Sequence, residues 1–68
     1  MIKGIEKLNQ EEIDFIQEVN QMQQKAFGFQ EENKEYQIIE VWKDENNTLC
    51  VRLRNGDFYH YLSNKQWY

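Results

Sequence analysis

The chain has no proline, three glycines, one cysteine and one histidine in 68 residues. A lone cysteine makes no internal disulfide, and a secreted domain of this size ordinarily depends on several, so a reducing, cytoplasmic setting is expected. One Cys and one His fall short of the four ligands of a structural zinc, and no carboxylate spacing motif accompanies them, so neither metal nor cofactor is expected. Three scattered glycines do not build a phosphate-cradling loop. No apolar run approaches the roughly 20 residues that cross a bilayer, and no basic-then-apolar leader opens the chain, so no membrane association is expected. Cationic excess is missing too. Residues 1–35 hold eight carboxylates against four lysines, residues 36–68 hold four of each sign, and the net charge is −4. Phosphate binding asks for the opposite balance, which disfavours nucleic acid as a partner.

What the chain does contain is aromatic side chains, at 15 %. With so short a length, about 60 % of the unfolded surface is buried on folding, which suits a single domain whose stability is marginal or shared with a partner. The abundance of Asn, Gln, Glu and Lys fits the coding bias of an AT-rich genome.

Thr48 to Leu62 alternates apolar and polar residues on both sides of Asn55-Gly56, a strong hairpin signal. Read as a two-residue type I′ turn, it sets Leu53 opposite Phe58, Arg52 opposite Tyr59 and Cys50 opposite Tyr61. Opposed residues share a face. Leu49, Val51, Leu53, Phe58, His60 and Leu62 then face the core, and Cys50, Arg52, Arg54, Asp57, Tyr59 and Tyr61 face outward, with Arg54 and Asp57 paired beside the turn.

Upstream, Asn9-Gln10-Glu11-Glu12 has the spacing of a capping box, and Leu8 and Ile13 are placed as a hydrophobic staple. The apolar stripe Phe15, Val19, Met22 and Ala26, with Ile16 beside it, predicts a helix over 9–27 that Gly28 stops in a left-handed conformation. Asp14, Gln17, Glu18, Gln21 and Gln24 form its solvated face. Residues 1–8 read as an arm and 30–35 as a charged connector. Tyr36 to Trp42 reads as a strand and Asp44 to Asn47 as a turn. The length of that loop, which the sequence does not fix, decides the faces. An odd-length loop puts Ile39 and Val41 in the core, leaves Tyr36, Ile38, Glu40 and Trp42 outside and pairs Glu40 with Arg52, and an even one reverses this. The first is favoured because it avoids burying a lone carboxylate. Ser63-Asn64-Lys65 signals another turn, after which Gln66-Trp67-Tyr68 has room for a short fourth strand. No internal repeat is evident. The fold class is α+β: an N-terminal amphipathic helix on a three- to four-stranded antiparallel meander, spanning 36–68, in one domain.

Enzymatic chemistry is not expected. Cys50 and His60 fall on opposite faces in this register and form no nucleophile–base dyad. The acid pairs Glu11/Glu12, Glu31/Glu32 and Asp44/Glu45 read as solvated. The constellation that stands out is the outer face, where Arg52, Arg54, Tyr59, Tyr61, Trp42 and Tyr36 have the composition of a partner-binding surface. The expected function is therefore a small acidic protein-binding module using that face and the acidic helix. Its size and bias suit a phage- or mobile-element-encoded inhibitor or adaptor of a larger protein. A single-stranded nucleic-acid platform is the alternative that aromatics with arginines suggest, and a homodimer stacking two such faces, with no external ligand, is a third.

Overall fold

A computed structural model describes residues 2–29 and 33–68. A 3₁₀ turn at Ile5–Lys7 precedes helix α1 (Gln10–Ala26), and a second at Lys34–Tyr36 leads into strands β1 (Ile38–Lys43), β2 (Leu49–Leu53) and β3 (Phe58–Tyr61). The strands form one antiparallel sheet in chain order. The class is α+β with an N-terminal helix, as the sequence predicts. Part of the expected connector, residues 30–32, lies outside the described residues.

Both ends of α1 follow from local chemistry. The Glu12 amide donates to Asn9 Oδ1 at 2.8 Å and the Asn9 amide to Glu12 Oε1 at 2.9 Å, completing the capping box. Lys43 Nζ lies 2.6 Å from Glu12 Oε2. That bond, together with the Asn9 amide, holds the Glu12 carboxyl below its ordinary range. At the other end Gly28 has φ +91°, and the amides of Gly28 and Phe29 donate to the carbonyls of Lys25 and Gln24. These are the paired bonds of a Schellman cap.

The face that α1 buries is not the predicted one. Ile16 and Val19 enter the core, but they are joined by Asn20, Gln23 and Gln24, whereas Met22 is 42 % exposed and Ala26 is exposed. The helix is turned toward its amides because the sheet offers them partners. Tyr61 Oη donates to Gln23 Oε1 at 2.6 Å, and Asn20 Nδ2 donates to the Tyr36 carbonyl at 3.0 Å and to Tyr61 Oη at 3.4 Å. Gln24 Nε2 donates to Asn20 Oδ1 at 2.9 Å and its Oε1 accepts from the Asn33 amide at 2.8 Å. Among these buried polar atoms Gln23 Nε2 has no hydrogen-bond partner among the described residues. The apolar core proper is Ile16, Val19, Ile38, Val41, Val51 and Leu53 with Tyr61. Each large aliphatic side chain fully enclosed here contributes about 1.5–3 kcal/mol.

The meander is built from one turn used three times. Asp44, Leu53 and Leu62 each donate an amide to the carbonyl four residues on, at 3.1, 2.8 and 2.8 Å. Each also accepts from the amide three residues on, at 2.9 Å. The third loop residue has positive φ in every case: Asn47 64°, Gly56 98°, Lys65 67°. This is a three-residue loop, a type I turn followed by a left-handed residue forming a bulge. Its middle residue is Asn46, Asn55 or Asn64, spaced by nine, so the chain does contain a short repeat. Asn55 and Asn64 accept from the amides of Asp57 and Gln66 at 2.9 and 3.1 Å, and Asp44 Oδ1 accepts from those of Asn46 and Thr48 at 2.9 Å.

The two-residue reading of Asn55-Gly56 is thereby corrected. Gly56 alone has positive φ, the loop is Arg54 to Gly56, and the register is Leu49↔Tyr61, Cys50↔His60, Val51↔Tyr59, Arg52↔Phe58. A shift of one residue turns every β3 side chain to the other face. Tyr61 is buried at 2 % and Phe58 is 52 % exposed, the reverse of the expectation. Asp57 stands across from Leu53, not Arg54, and its carboxylate meets Asn55 Nδ2 at 3.2 Å.

The β1–β2 loop is odd-numbered, as expected, and Val41 is buried while Glu40 faces Arg52. Ile38 and Ile39 are corrections: with a bulge between Ile38 and Glu40, Ile38 is the residue turned into the core, to 7 % exposure, and Ile39 is half-buried outside the core cluster. Both outer edges are occupied. Lys3 bridges β1 in parallel through bonds to Ile39 and Val41. Along β3, Tyr61 bridges Trp67, and His60 exchanges backbone bonds with Tyr68 at 2.9 and 3.2 Å; the expected fourth strand amounts to this contact.

Candidate functional site

The sheet divides the aromatic side chains into two sets, and the division does not match the predicted surface. Tyr59, Tyr61 and Tyr36 lie on the helix side. Tyr36 ends a 3₁₀ turn instead of starting a strand, and its ring stands 5.5 Å from Phe27 and 4.8 Å from Phe29. Phe27 in turn packs 6.4 Å from both Tyr59 and Trp67. Burial pushes the Tyr61 phenol up to about 12, against the pull of the Asn20 hydrogen bond, and burial also raises that of Tyr59. Of these rings only Tyr61 is fully enclosed; Tyr36, Tyr59 and Trp67 are half-buried against the core, and Phe27 is exposed. Arg54 is exposed in the β2–β3 loop.

The outer face keeps Arg52 and Trp42 and gains residues that the shifted register supplies. Across the strands, one row runs Glu40, Arg52, Phe58 and the next Trp42, Cys50, His60. The Arg52 guanidinium carbon lies 5.7 Å from the Trp42 ring centroid and 5.6 Å from that of Phe58, a cation–π position on both. Its Nε is 3.4 Å from Glu40 Oε1 and its Nη1 donates to the Gly56 carbonyl at 3.2 Å. The two ring centroids are themselves 6.2 Å apart, so the guanidinium and the two rings form a triangle of mutual contacts, with Glu40 and the Gly56 carbonyl tethering the cation. His60 stacks on Tyr68 at 4.5 Å and 4°, and lies 6.0 Å from Phe58. Phe58 and Tyr68 are more than half exposed. Phe58, His60 and Tyr68 were not predicted here; only the correct loop length would have found them.

The same shift brings Cys50 and His60, expected on opposite faces, directly across from each other. Asp44 completes a cluster in which carboxylate oxygen, thiol sulfur and imidazole nitrogen lie within 4.8 Å of one another, with His60 Nε2 3.7 Å from Asp44 Oδ2. Cys50 is 1 % exposed, and its sulfur donates to the Thr48 carbonyl at 3.5 Å. Burial, then the Asp44 charge, push the thiol up, which is the opposite of an activated nucleophile.

On the helix side, a shallow open cleft of about 740 Å³ runs between the start of α1 and the loops after β1 and β3, lined by Phe15, Leu49, Asn47 and Asn64 among others. Glu12 on its wall is already engaged by Lys43 and Asn9. No described helix is long and apolar enough to cross a membrane. Comparison with models of protein families, with curated proteins and with solved structures finds no match for this chain.

Proposed function

We propose that the protein is a small protein-binding module that meets its partner through the outer face of the sheet. The observation that carries this reading is the mutual contact of Trp42, Arg52 and Phe58, with the rings 6.2 Å apart and the guanidinium set against both, flanked by Tyr68. The exposed rings of Phe58 and Tyr68 and a guanidinium held against two aromatic rings lose little conformational freedom on binding, and such groups dominate interface energetics. The matching partner surface is apolar, with a carboxylate to meet the outward edge of Arg52. An inhibitor or adaptor of a larger protein is the role that suits a chain of this size. The acidic residues of α1 take little part, because the helix lies on the far side of the sheet in a molecule whose shortest extent is 20 Å. Fields from exposed charges fade over about 8–10 Å at physiological salt.

The test is quantitative capture from host lysate by the tagged full chain, followed by binding of the recovered protein to variants. Phe58→Ala and Arg52→Ala each weaken that complex by about 2 kcal/mol, the scale of a hot spot, while Glu18→Ala leaves it intact. Retention of full affinity by Phe58→Ala overturns the reading. So does tight binding of single-stranded oligonucleotides that salt abolishes, which would make the face a stacking platform, or sedimentation as a tight dimer sealed through Phe58.

A further inference from the structure

We propose that Asp44, Cys50 and His60 form an open three-ligand site for a zinc-type divalent cation on the outer face of the sheet. The site is independent of the protein-binding reading, since it rests on different side chains and a different measurement.

Each ligand is positioned by its own part of the sheet, with the Cys50 sulfur in a long 3.5 Å contact with the Thr48 carbonyl. Asp44 opens the β1–β2 turn and spends Oδ1 on the amides of Asn46 and Thr48, which leaves Oδ2 directed toward His60. His60 is fixed by its backbone exchange with Tyr68 and by the stacked ring of that residue. Cys50 is the second residue of β2, paired with Trp42 on one side and His60 on the other. A carboxylate and an imidazole 3.7 Å apart are too far for a hydrogen bond. A tetrahedral zinc, with bonds of about 2.0–2.3 Å, holds its ligand atoms roughly 3.3–3.6 Å apart. The Asp44–His60 spacing is thus close to what an ion requires, and the sulfur needs to approach by about 1 Å, the scale of one side-chain torsion.

The donor set selects the metal. Thiolate and imidazole favour zinc-type ions over magnesium and calcium, which take oxygen ligands. Thiolate and carboxylate together balance a dication, and binding releases the thiol proton to solvent. The Asp44 and His60 side chains are 24 % and 25 % exposed, so the ion approaches from that side with Cys50 beneath it. The fourth position is left to water or to a donor from a partner.

The experiment uses the full chain, treated with chelator and titrated with Zn²⁺ by calorimetry and with Co²⁺ by absorption spectroscopy. The expected result is one equivalent of either ion, with thiolate-to-cobalt charge-transfer absorption. Cys50→Ser abolishes that absorption. Cys50→Ser and His60→Gln each weaken Zn²⁺ by more than the roughly 10- to 100-fold cost of losing an outer-shell partner. Asp44→Asn keeps an acceptor oxygen for the turn amides, so its weakened binding reports the ligand and not the fold. Circular dichroism verifies that each variant is folded. Absence of thiolate charge transfer in the unmodified chain overturns the proposal, as does stoichiometric Zn²⁺ binding that survives Cys50→Ser and His60→Gln unchanged.

Discussion

At the scale of the residue, Tyr61 shows how one hydroxyl organises an interior. It replaces a hydrophobe at the centre of the core, donates to Gln23 and accepts from Asn20, and so gives the amides of α1 a reason to face inward. Because the folded protein holds the phenol proton up to about 12, while an unfolded tyrosine releases it near 10, the protonated form is favoured by folding. The associated stability is whole below pH 10 and is lost as pH rises from 10 to 12, an effect of roughly 2–3 kcal/mol. Urea unfolding of the unmodified chain and of Tyr61→Phe at intervals from pH 8 to 11 should give curves that converge above about pH 10. Curves that stay parallel would remove the linkage.

The elements owe their relative placement to the thrice-used turn. Its left-handed third position is filled by Gly56 without strain and by Asn47 at modest cost, but by Lys65 against its preference. Lys65→Gly is therefore expected to stabilise by about 0.5–1 kcal/mol. The exposed contact of Lys65 with Glu18 at 3.2 Å offsets only a few tenths of that. Gly56→Ala, placing a Cβ at φ +98°, should destabilise by about 1 kcal/mol. Chemical denaturation of both variants checks the pair, and a fall in stability for Lys65→Gly would contradict the strain argument. The helix was legible from its capping box and its glycine stop because both are contacts within a few residues. Loop length was not. Asn-Gly suits a two-residue turn and a three-residue one alike, and the choice fell to packing across the molecule, where a buried Tyr61 finds two amides.

For the whole molecule, the arm and the segment around Trp67 close the sheet at both edges, and Gly4 is the hinge of the first closure. It sits at φ +86°, and any Cβ there would collide with the Val41 carbonyl oxygen. Gly4→Ala should release the arm, break the Lys3 bonds to Ile39 and Val41 at 2.9 and 2.8 Å, and cost about 2–3 kcal/mol. Amide hydrogen exchange at Val41 reads this directly: protection lost in the variant supports the docked arm, and protection unchanged refutes it. An opened β1 edge is also an invitation to strand pairing between copies, which light scattering would register.

The sequence alone determined the α+β class, the helix and its two caps, and the strands, because each rests on patterns spanning a few residues or one turn, whereas the pairing of Glu40 with Arg52 followed from the favoured one of two loop lengths. Only the tertiary structure decided which side of β3 is inside, which side of α1 is buried, and hence that Phe58 and His60 face outward with Arg52 while Tyr59 and Tyr61 do not. The reason is physical: alternating strands carry usable side chains on both faces, so local preference leaves two registers nearly equal. The difference came from distant groups, the hydroxyl of Tyr61 and the amides of Asn20 and Gln23, that satisfy one another in one register and not in the other.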